Sequence, residues 1–351
     1  MTKLVNVLKI PAVLLITTIV LAASLPSEAE PNTLPKLNLN IDHISVSGLS
    51  SGGYMASQFH LAYGDWVSGV GIIAAGPYYC AQNSILTALA QCVNKVESVA
   101  SLSAIEQQIA TWRQQKLLAP ADSVQGDKVW IFHGTKDTKI HPQISQQLVE
   151  QYKAWAGDEN VEYINDQPFA HHFPTPSNGT DCEQSISPFI GNCDYDAANK
   201  MLDYIAPESS PETTKPIAAT GKLLSFDQQQ LGGDNASSLG STGFVYLPAS
   251  CQQGASCKLH ISFHGCNQNQ QAIGDQYPKL TGINQWADNH NTVVLYPQTN
   301  TSTLMPMNPQ GCWDWWGYTD ENYATNKGQQ IQAVRQMALA LSGTTGAAKH
   351  D

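Results

Sequence analysis

Residues 43–53 read HISVSGLSSGG, and this stretch decides the fold. The β-branched alternation at 43–47 predicts a short strand, and residues 53–63 carry a helical pattern, so residues 48–52 form the turn between them. GLSSG fits the pattern G-x-S-x-G, in which a serine occupies a strained strand-to-helix turn and its neighbours two positions away must be small. Ser51 fails the same pattern because Leu49 and Gly53 flank it. Ser50 is therefore the predicted nucleophile.

Strand and helix patterns alternate along the rest of the chain. Further strands are predicted at about 67–75, 128–133, 160–164, 221–226, 242–247, 258–263 and 292–296, and helices at about 84–91, 103–116, 143–156, 195–206, 280–290 and 325–341. Such alternation indicates the α/β class, with a mostly parallel sheet covered by helices on both faces.

A serine hydroxyl needs a base to take its proton, and the base needs a carboxylate to orient it. Where this turn occurs, the acid and then the histidine follow the serine, on loops after later strands. Asp137, four residues past strand 128–133, is the predicted acid; Asp166 is an alternative, whereas Asp127 precedes its strand. His171 and His172 both follow the next strand, and chain order alone leaves the choice between them open.

The negative charge of a tetrahedral intermediate needs two backbone N–H donors. One is expected from Ser51, and the other normally comes from an H-G motif after an earlier strand. The candidate motif, His264-Gly265-Cys266, instead follows strand 258–263, late in the chain. Joining the tail near residue 341 to the head near residue 40 restores the usual order. We therefore predict an α/β-hydrolase fold that is circularly permuted, which a sheet tolerates when its ends lie close together.

The first 29 residues have the layout of a secretory signal peptide. Lys3 and Lys9 precede an apolar run at 10–25, and small residues follow at 27 and 29. The run of about 16 residues is shorter than the roughly 20 that span a bilayer. We expect a secreted protein, extracellular or periplasmic, without a membrane anchor. Residues 30–351 are expected to form a single catalytic domain, with the Pro/Ser/Thr-rich segment 207–217 as a surface linker between its permuted halves.

Charge and cysteine content limit the possible partners. Without residues 1–29 the chain carries 16 basic and 28 acidic side chains, a net charge of −12, which gives it no general attraction to nucleic acid. An even number of cysteines behind a signal peptide predicts disulfides, although spacing does not fix their connectivity. Three close pairs suggest themselves and leave two cysteines over: Cys80 and Cys92, Cys182 and Cys193, Cys251 and Cys257, then Cys266 and Cys312. None has the spacing of a zinc site, so no metal is expected.

These motifs resemble those of the poly(3-hydroxybutyrate) depolymerases, whose permuted form carries the oxyanion element after the triad. The matching stretches spread across nearly all of residues 30–351: 46–56 (VSGLSSGGYMA), 132–137 (FHGTKD), 170–174 (AHHFP), 264–266 (HGC) and 308–315 (NPQGCWDW). The family's G-H-x-F-P pattern implies His171 as the base, with Ala170 replacing the glycine. The resemblance also implies Cys266 as the second oxyanion donor, with its sulfur bonded to Cys312, and no cofactor.

By this resemblance we expect a serine esterase that cleaves poly(3-hydroxybutyrate)-type polyesters into short hydroxyacid oligomers or monomers. Trp313 and Trp316, beside Cys312, are predicted to form an apolar wall for the polymer, with Tyr54 and Tyr78 as weaker candidates. We expect a monomer that adsorbs to solid polymer through its catalytic domain. Two alternatives stay open: a feruloyl or acetyl esterase of plant cell walls, and a non-catalytic polymer-binding module.

Overall fold

The computed structural model describes residues 1–2, 34–94, 98–206 and 219–343. The predicted signal peptide, apart from residues 1 and 2, and the predicted linker at 207–217 lie outside the described residues. The residues from 34 onward belong to one unit, Asn32–Asp351.

Eleven strands and eleven α-helices are found in these residues. The strands are β1 Ile44–Leu49, β2 Val67–Ile73, β3 Lys128–Phe132, β4 Val161–Ile164, β5 Phe173–Thr175, β6 Thr180–Asp181, β7 Ile190–Asn192, β8 Lys222–Asp227, β9 Thr242–Leu247, β10 Lys258–Phe263 and β11 Thr292–Tyr296. The helices are α1 Ser51–Ala62, α2 Ile85–Gln91, α3 Leu102–Gln114, α4 Pro142–Ala156, α5 Ala197–Ile205, α6 Gln228–Gly232, α7 Ala249–Gln252, α8 Gln270–Ile273, α9 Gln276–Leu280, α10 Ile283–Asn289 and α11 Gln329–Leu341.

Eight strands form the central sheet in the order β4-β3-β2-β1-β10-β11-β9-β8. The pairs from β4 to β11 are parallel, whereas β9 runs antiparallel to both β11 and β8. Alternate residues of a strand point to opposite faces. In β3, Val129 and Ile131 accordingly belong to the core on the face covered by α1, α3, α4 and α11, whereas Trp130 and Phe132 belong to the core on the face covered by α5 and α10. The predicted α/β-hydrolase class, a mostly parallel sheet covered on both faces, is confirmed.

The strand order also fits the predicted permutation. The first strand of the chain, β1, lies in the middle of the sheet between β2 and β10, and β8–β11 complete the half beyond it. Head and tail meet, because the backbone N–H of Leu37 donates to the carbonyl of Leu341 at 2.8 Å. The described residues near 37 and 341 are therefore adjacent, as exchange of the halves requires.

Three details differ from the sequence prediction. The helix expected at 280–290 is interrupted: α9 ends at Leu280 and α10 begins at Ile283, because Gly282 has a φ of +87°. A small sheet in the order β5-β7-β6 was not predicted, since its strands have only two or three residues. The short helices α6, α7 and α8 were also missed. None of the described helices combines the length and apolar character needed to cross a bilayer.

The prediction of disulfides is confirmed, and all eight cysteines are paired. The bonds join Cys80 to Cys92, Cys182 to Cys193, Cys251 to Cys257, and Cys266 to Cys312. The first three each close a loop within one region of the chain. The fourth spans 46 residues and ties the loop after β10 to the aromatic segment around residue 313.

Candidate active site

Ser50 lies at the turn between β1 and α1, at the carboxyl end of the central strands. Its φ of +57° with ψ of −120° is a conformation that residues with a Cβ rarely adopt. The flanking glycines explain how the turn closes. A Cβ on Gly48 would lie 2.1 Å from the carbonyl oxygen of Gly52, and a Cβ on Gly52 would lie 2.2 Å from that of Phe263. Both positions thus exclude any side chain, which accounts for the sequence pattern.

Asp137 and His171 are in direct contact. His171 Nδ1 lies 2.7 Å from Asp137 Oδ2, and the two side chains are 9% and 0% exposed. The other carboxylate oxygen, Oδ1, accepts the backbone N–H groups of Lys139 (2.7 Å) and Ile140 (3.0 Å). These three contacts fix the orientation of the carboxylate, and the carboxylate in turn orients the imidazole of His171.

The environment favours the ionised form of Asp137. Burial alone would raise the pKa of this carboxyl group. The charge and hydrogen bond of His171, together with the Ile140 N–H, outweigh burial and hold the pKa of Asp137 below its ordinary value of 3.8. The carboxylate is therefore available to stabilise a positive imidazole.

Ser50 and His171 line the same cavity, but no hydrogen bond joins them. Such contacts are often long in unliganded active sites and shorten when substrate binds. Within the described residues, the hydrogen bond between Asp137 and His171 is therefore formed, whereas that between Ser50 and His171 is not.

The alternative candidates lie elsewhere. His172 turns away from Asp137: its Nε2 donates to the carbonyl of Cys182 at 2.6 Å, and a Cβ on Gly191 would lie 2.3 Å from its ring. Asp166 is exposed and accepts a hydrogen bond from its neighbour Gln167. The geometry therefore brings His171, and not His172, to the carboxylate.

Asp127 forms a second acid–histidine pair at the far end of β3. Its Oδ2 lies 2.9 Å from Nε2 of His60, which is fully buried. Because Asp127 precedes β3, this pair lies at the amino ends of the parallel strands, away from Ser50. It is a structural contact that joins α1, which carries His60, to the residue before β3.

The loop after β10 runs directly against the serine turn. A Cβ on Gly265 would lie 3.4 Å from the Cβ of Ser50. The backbone N–H of Cys266 donates to no acceptor in the described part of the chain, and that of Ser51 has no carbonyl one turn earlier because it begins α1. Two unused donors, both on cavity-lining residues, thus flank the serine.

Buried side chains hold this loop. His264 Nδ1 donates to the carbonyl of Gly265 at 2.7 Å, and its Nε2 accepts the N–H of Thr299 at 3.2 Å. Burial lowers the pKa of His264 to about 4, so the ring is neutral and can accept that bond. Oε1 of Gln268, a fully buried side chain, accepts the Gly265 N–H at 2.7 Å. The Gly265 donor is therefore occupied, which leaves that of Cys266 free.

The cavity has a volume of about 370 Å³, and aromatic side chains form part of its wall. Tyr54 stacks on Trp315 with ring centroids 4.6 Å apart, and Trp315 meets Trp316 edge-on at 5.4 Å. The Tyr54 hydroxyl donates to the carbonyl of Cys92. Of the predicted substrate contacts, Tyr54 and Trp316 therefore lie at the cavity.

Trp313 does not. It is fully buried and packs edge-on against Phe263, with centroids 5.0 Å apart, behind the loop that carries Cys266. Tyr78 is also fully buried, and its hydroxyl donates to the carbonyl of Ala324. Trp313 belongs to the buried core beside Phe263, whereas Trp315 and Trp316 line the cavity. The structure therefore does not support the prediction that Trp313 contacts substrate, because its ring is buried and does not line the cavity.

A buried carboxylate shapes the wall. Asp314 accepts backbone N–H groups from Trp316, Gly317, Tyr318 and Thr319, and the Thr319 hydroxyl as well. This folds residues 314–319 into a tight loop that presents Trp315 and Trp316 to the cavity. Neither the sequence motif nor its spacing identified this role.

The sequence analysis also missed the apolar rim. Ile85 and Leu89 of α2 line the cavity and are 46% and 56% exposed, and Val93 and Ile140 lie beside them. The sequence shows only that α2 carries several apolar side chains. Which of them are exposed depends on how the helix packs, so sequence analysis could not identify the rim.

One group of possible metal ligands occurs in the described residues. His172, Cys182 and Cys193 have donor atoms within 4.8 Å of one another. The two cysteines form a disulfide and so offer no thiolate, and His172 Nε2 is engaged by a carbonyl. This donor set does not suit a zinc ion.

Known proteins share both the sequence and the fold. No family model matches the chain. It is 35% identical over 316 residues to the poly(3-hydroxybutyrate) depolymerase of Delftia acidovorans, covering 89% of this chain and 62% of that relative's length. It is 36% identical over 337 residues to the polyhydroxybutyrate depolymerase of Talaromyces funiculosus, covering 91% and 96%.

Two solved structures are similar over 90% of this chain and all of theirs, each with a TM-score of 0.82. One is a PHB depolymerase complexed with an R3HB trimer, at 33% identity, and the other is the PHB depolymerase from Penicillium funiculosum, at 34%. With this identity, coverage and fold, the chain belongs to the polyhydroxybutyrate depolymerase family.

Proposed function

We propose that this chain is a serine esterase that hydrolyses the ester bonds of poly(3-hydroxybutyrate)-type polyesters to short hydroxyacid oligomers or monomers. The observation that carries the proposal is one cavity in which Ser50, His171 and Cys266 face an apolar, aromatic wall. The family, and the solved relative complexed with an R3HB trimer, support the substrate class.

The reaction is an acyl transfer. Ser50 Oγ attacks the ester carbonyl carbon while His171 Nε2 takes the hydroxyl proton, and Asp137 stabilises the positive imidazole through Nδ1. The proton then passes to the leaving alkoxide oxygen, which departs as the alcohol end of the polymer. Water, activated by the same imidazole, attacks the acyl-enzyme and releases the acid. No metal or cofactor takes part in these steps.

The oxyanion is held by the N–H groups of Ser51 and Cys266. Because these donors are fixed before the reaction, they stabilise charge that develops in the transition state without reorganising. One such donor contributes on the order of 10²–10³ in rate. The disulfide of Cys266 and the buried side chains behind it support this role by restraining the loop.

Adsorption to solid polymer is assigned to the cavity rim. Ile85, Leu86 and Leu89 are 46–77% exposed on α2, and Leu304 and Met305 are 78% and 87% exposed on a loop that precedes the cavity-lining Gln310. Exposed apolar clusters of this kind mark interaction surfaces, and a polyester surface is itself apolar. The rim would hold the polymer while one chain enters the cavity.

Residues 30–351 are proposed to act as one exported catalytic domain, without a partner chain. Four disulfides support export, because such bonds persist in oxidising compartments.

The test is turbidity loss of a poly(3-hydroxybutyrate) suspension with wild type and Ser50→Ala side by side. We expect clearing by wild type only, and labelling of wild type but not the variant by a fluorophosphonate. Release of ferulate from arabinoxylan without clearing would instead favour a cell-wall esterase, and absence of labelling would indicate a non-catalytic binding module.

A further inference from the structure

A second, cationic groove lies away from the cavity. It encloses about 870 Å³ and is lined by Arg113 and Lys116 at the end of α3, Lys327, and Arg335 on α11. Its wall also includes the segment from Ala62 to Asp65 before β2 and residues 118–123 before β3. The groove is therefore at the amino ends of the parallel strands, whereas Ser50, Asp137 and His171 follow carboxyl ends.

The charge of this groove contrasts with that of the chain. Four cations line it against one acidic residue, Asp65, on a polypeptide with 29 acidic and 18 basic side chains. The ion pairs found in the described residues involve Lys136, Lys153, Lys279 and three histidines, all outside this groove. Glu106 offsets the charge of Arg113 only at longer range.

Two of the cations are held in place. Arg335 lies over the ring of Tyr63, 5.3 Å from its centroid, and Arg113 is half-buried, with a buried Nε that has no hydrogen-bond partner. Guanidinium groups match the geometry of carboxylate and phosphate oxygens.

We propose that this groove binds a small multivalent anion bearing phosphate or carboxylate groups. Pyrophosphate and citrate serve as the two probes, in isothermal titration calorimetry at low ionic strength. We expect saturable binding of at least one, which identifies the anion class, and about tenfold or greater weakening in Arg113→Gln/Arg335→Gln.

Lys153→Gln/Lys279→Gln is the matched control, because it removes the same charge from two exposed ion pairs outside the groove. Its affinity should equal that of wild type. Lys116→Gln/Lys327→Gln, which alters only exposed groove lysines, should weaken binding if the arginine variant fails to fold. No saturable binding of either probe to wild type, or equal weakening in the control, would overturn the site.

A different observation assigns a positioning role to Gln268, and this second inference rests on the proposed function. Its Nε2 donates to the carbonyls of Pro188 (2.8 Å) and Phe189 (3.0 Å), while its Oε1 accepts from Gly265. The side chain is fully buried and lines the cavity. One amide thus joins the loop of the oxyanion donor to the segment that follows His171.

That segment is itself linked to the histidine. Ser185 Oγ donates to the carbonyl of His171 at 3.1 Å, and Phe173 donates its N–H to the carbonyl of Phe189. We infer that Gln268 sets the spacing between the Cys266 N–H and the imidazole. Loss of the amide would shift one loop against the other, and small displacements of reacting groups cost up to 10²-fold in rate.

Gln228 provides a matched control. It is also fully buried, and its amide makes the same set of contacts, donating to the carbonyls of Gly240 (2.8 Å) and Gln298 (3.0 Å) and accepting the Gln298 N–H (2.8 Å). It lies at the β8–β9 end of the sheet. Gln268→Met and Gln228→Met therefore remove equivalent hydrogen bonds, one beside the cavity and one remote from it.

On a soluble short-chain ester, Gln268→Met should lower kcat about 10–100-fold with little change in KM, and weaken binding of a boronic acid transition-state analogue by a similar factor. Gln228→Met should lower the unfolding temperature without either effect. Gln268→Glu, which can donate only when protonated, should recover activity relative to wild type at the same pH as the pH falls. Equal kcat losses in the two Met variants would overturn the positioning role. Polymer hydrolysis, measured separately on wild type, tests the proposed function itself.

Discussion

Replacing Asp137 by Asn tests the geometry of the acid–histidine pair. Oδ1 accepts two backbone N–H groups, from Lys139 and Ile140, so an amide at this position must place its carbonyl oxygen there. Its NH₂ group then faces His171 Nδ1, which lies 2.7 Å from the present Oδ2. The imidazole can only accept this bond, and its proton moves to Nε2. A ring protonated at Nε2 cannot remove the proton of Ser50.

The opposite orientation of the amide, which would keep the productive tautomer of His171, is unfavourable. It would set NH₂ against two N–H donors, an exposed one from Lys139 and a partly buried one from Ile140, and an unsatisfied buried donor costs about 1–3 kcal/mol. The wrong tautomer is therefore strongly favoured. A fall in kcat of about 10⁴ is typical of this exchange in serine hydrolases, and corresponds to about 5 kcal/mol in the barrier. Stability should change little, because the side chain keeps its size and its two backbone contacts.

Initial rates on a soluble chromogenic ester, with unfolding temperatures, provide the assay. Asp127→Asn is the matched control, since it makes the same exchange in the remote pair with His60. Asp127→Asn should hydrolyse the ester at close to the wild-type rate. If folded Asp137→Asn kept more than about a tenth of wild-type kcat, the assignment of the acid would be refuted.

Three further predictions concern the loop and the wall. Because burial lowers the pKa of His264 to about 4, the unfolded chain binds a proton between pH 6.5 and 4 that the folded chain does not. The free energy of unfolding should fall by up to ~3 kcal/mol as the pH is lowered from 6.5 to 4. Urea titrations should show a weaker pH dependence of this free energy in His264→Gln, and an equal pH dependence would contradict the shift. Replacing Cys266 and Cys312 together by serine opens a 46-residue crosslink, so it should cost up to about 4 kcal/mol of stability and lower kcat; unchanged kcat would argue against loop restraint. Trp316→Ala should slow polymer clearing more than soluble-ester hydrolysis, and equal slowing would count against its place in the substrate wall.

Short-range pattern predicted most of the architecture. The strands at 242–247, 258–263 and 292–296 have the predicted bounds. Residues 292–296 (TVVLY) form a nearly continuous apolar run, as in strands buried on both faces, whereas residues 258–263 (KLHISF) alternate apolar and polar side chains. Elements with few residues were not predictable in this way. The strands β5–β7 and the break at Gly282 depend on the disulfide of Cys182 and on packing between distant segments, which leave little periodic signal.

The amino-acid sequence by itself determined the chemical groups and their order along the chain. The glycines at 48 and 52 identify the serine turn because the close backbone approach there excludes a side chain, and that exclusion is local. The position of His264-Gly265 after strand 258–263 predicted the permuted order, because the order of motifs along the chain can be read directly from the sequence.

Only the tertiary structure decided which of several similar side chains faces the cavity. His171 rather than His172 reaches Asp137 because the carbonyl of Cys182 and the bare backbone of Gly191 hold the second ring elsewhere. Trp316 reaches the cavity while Trp313 is buried behind it. Side-chain direction in a loop depends on contacts from remote parts of the chain, so chain order and spacing could not choose between the two histidines, and before the structure only the family resemblance favoured His171.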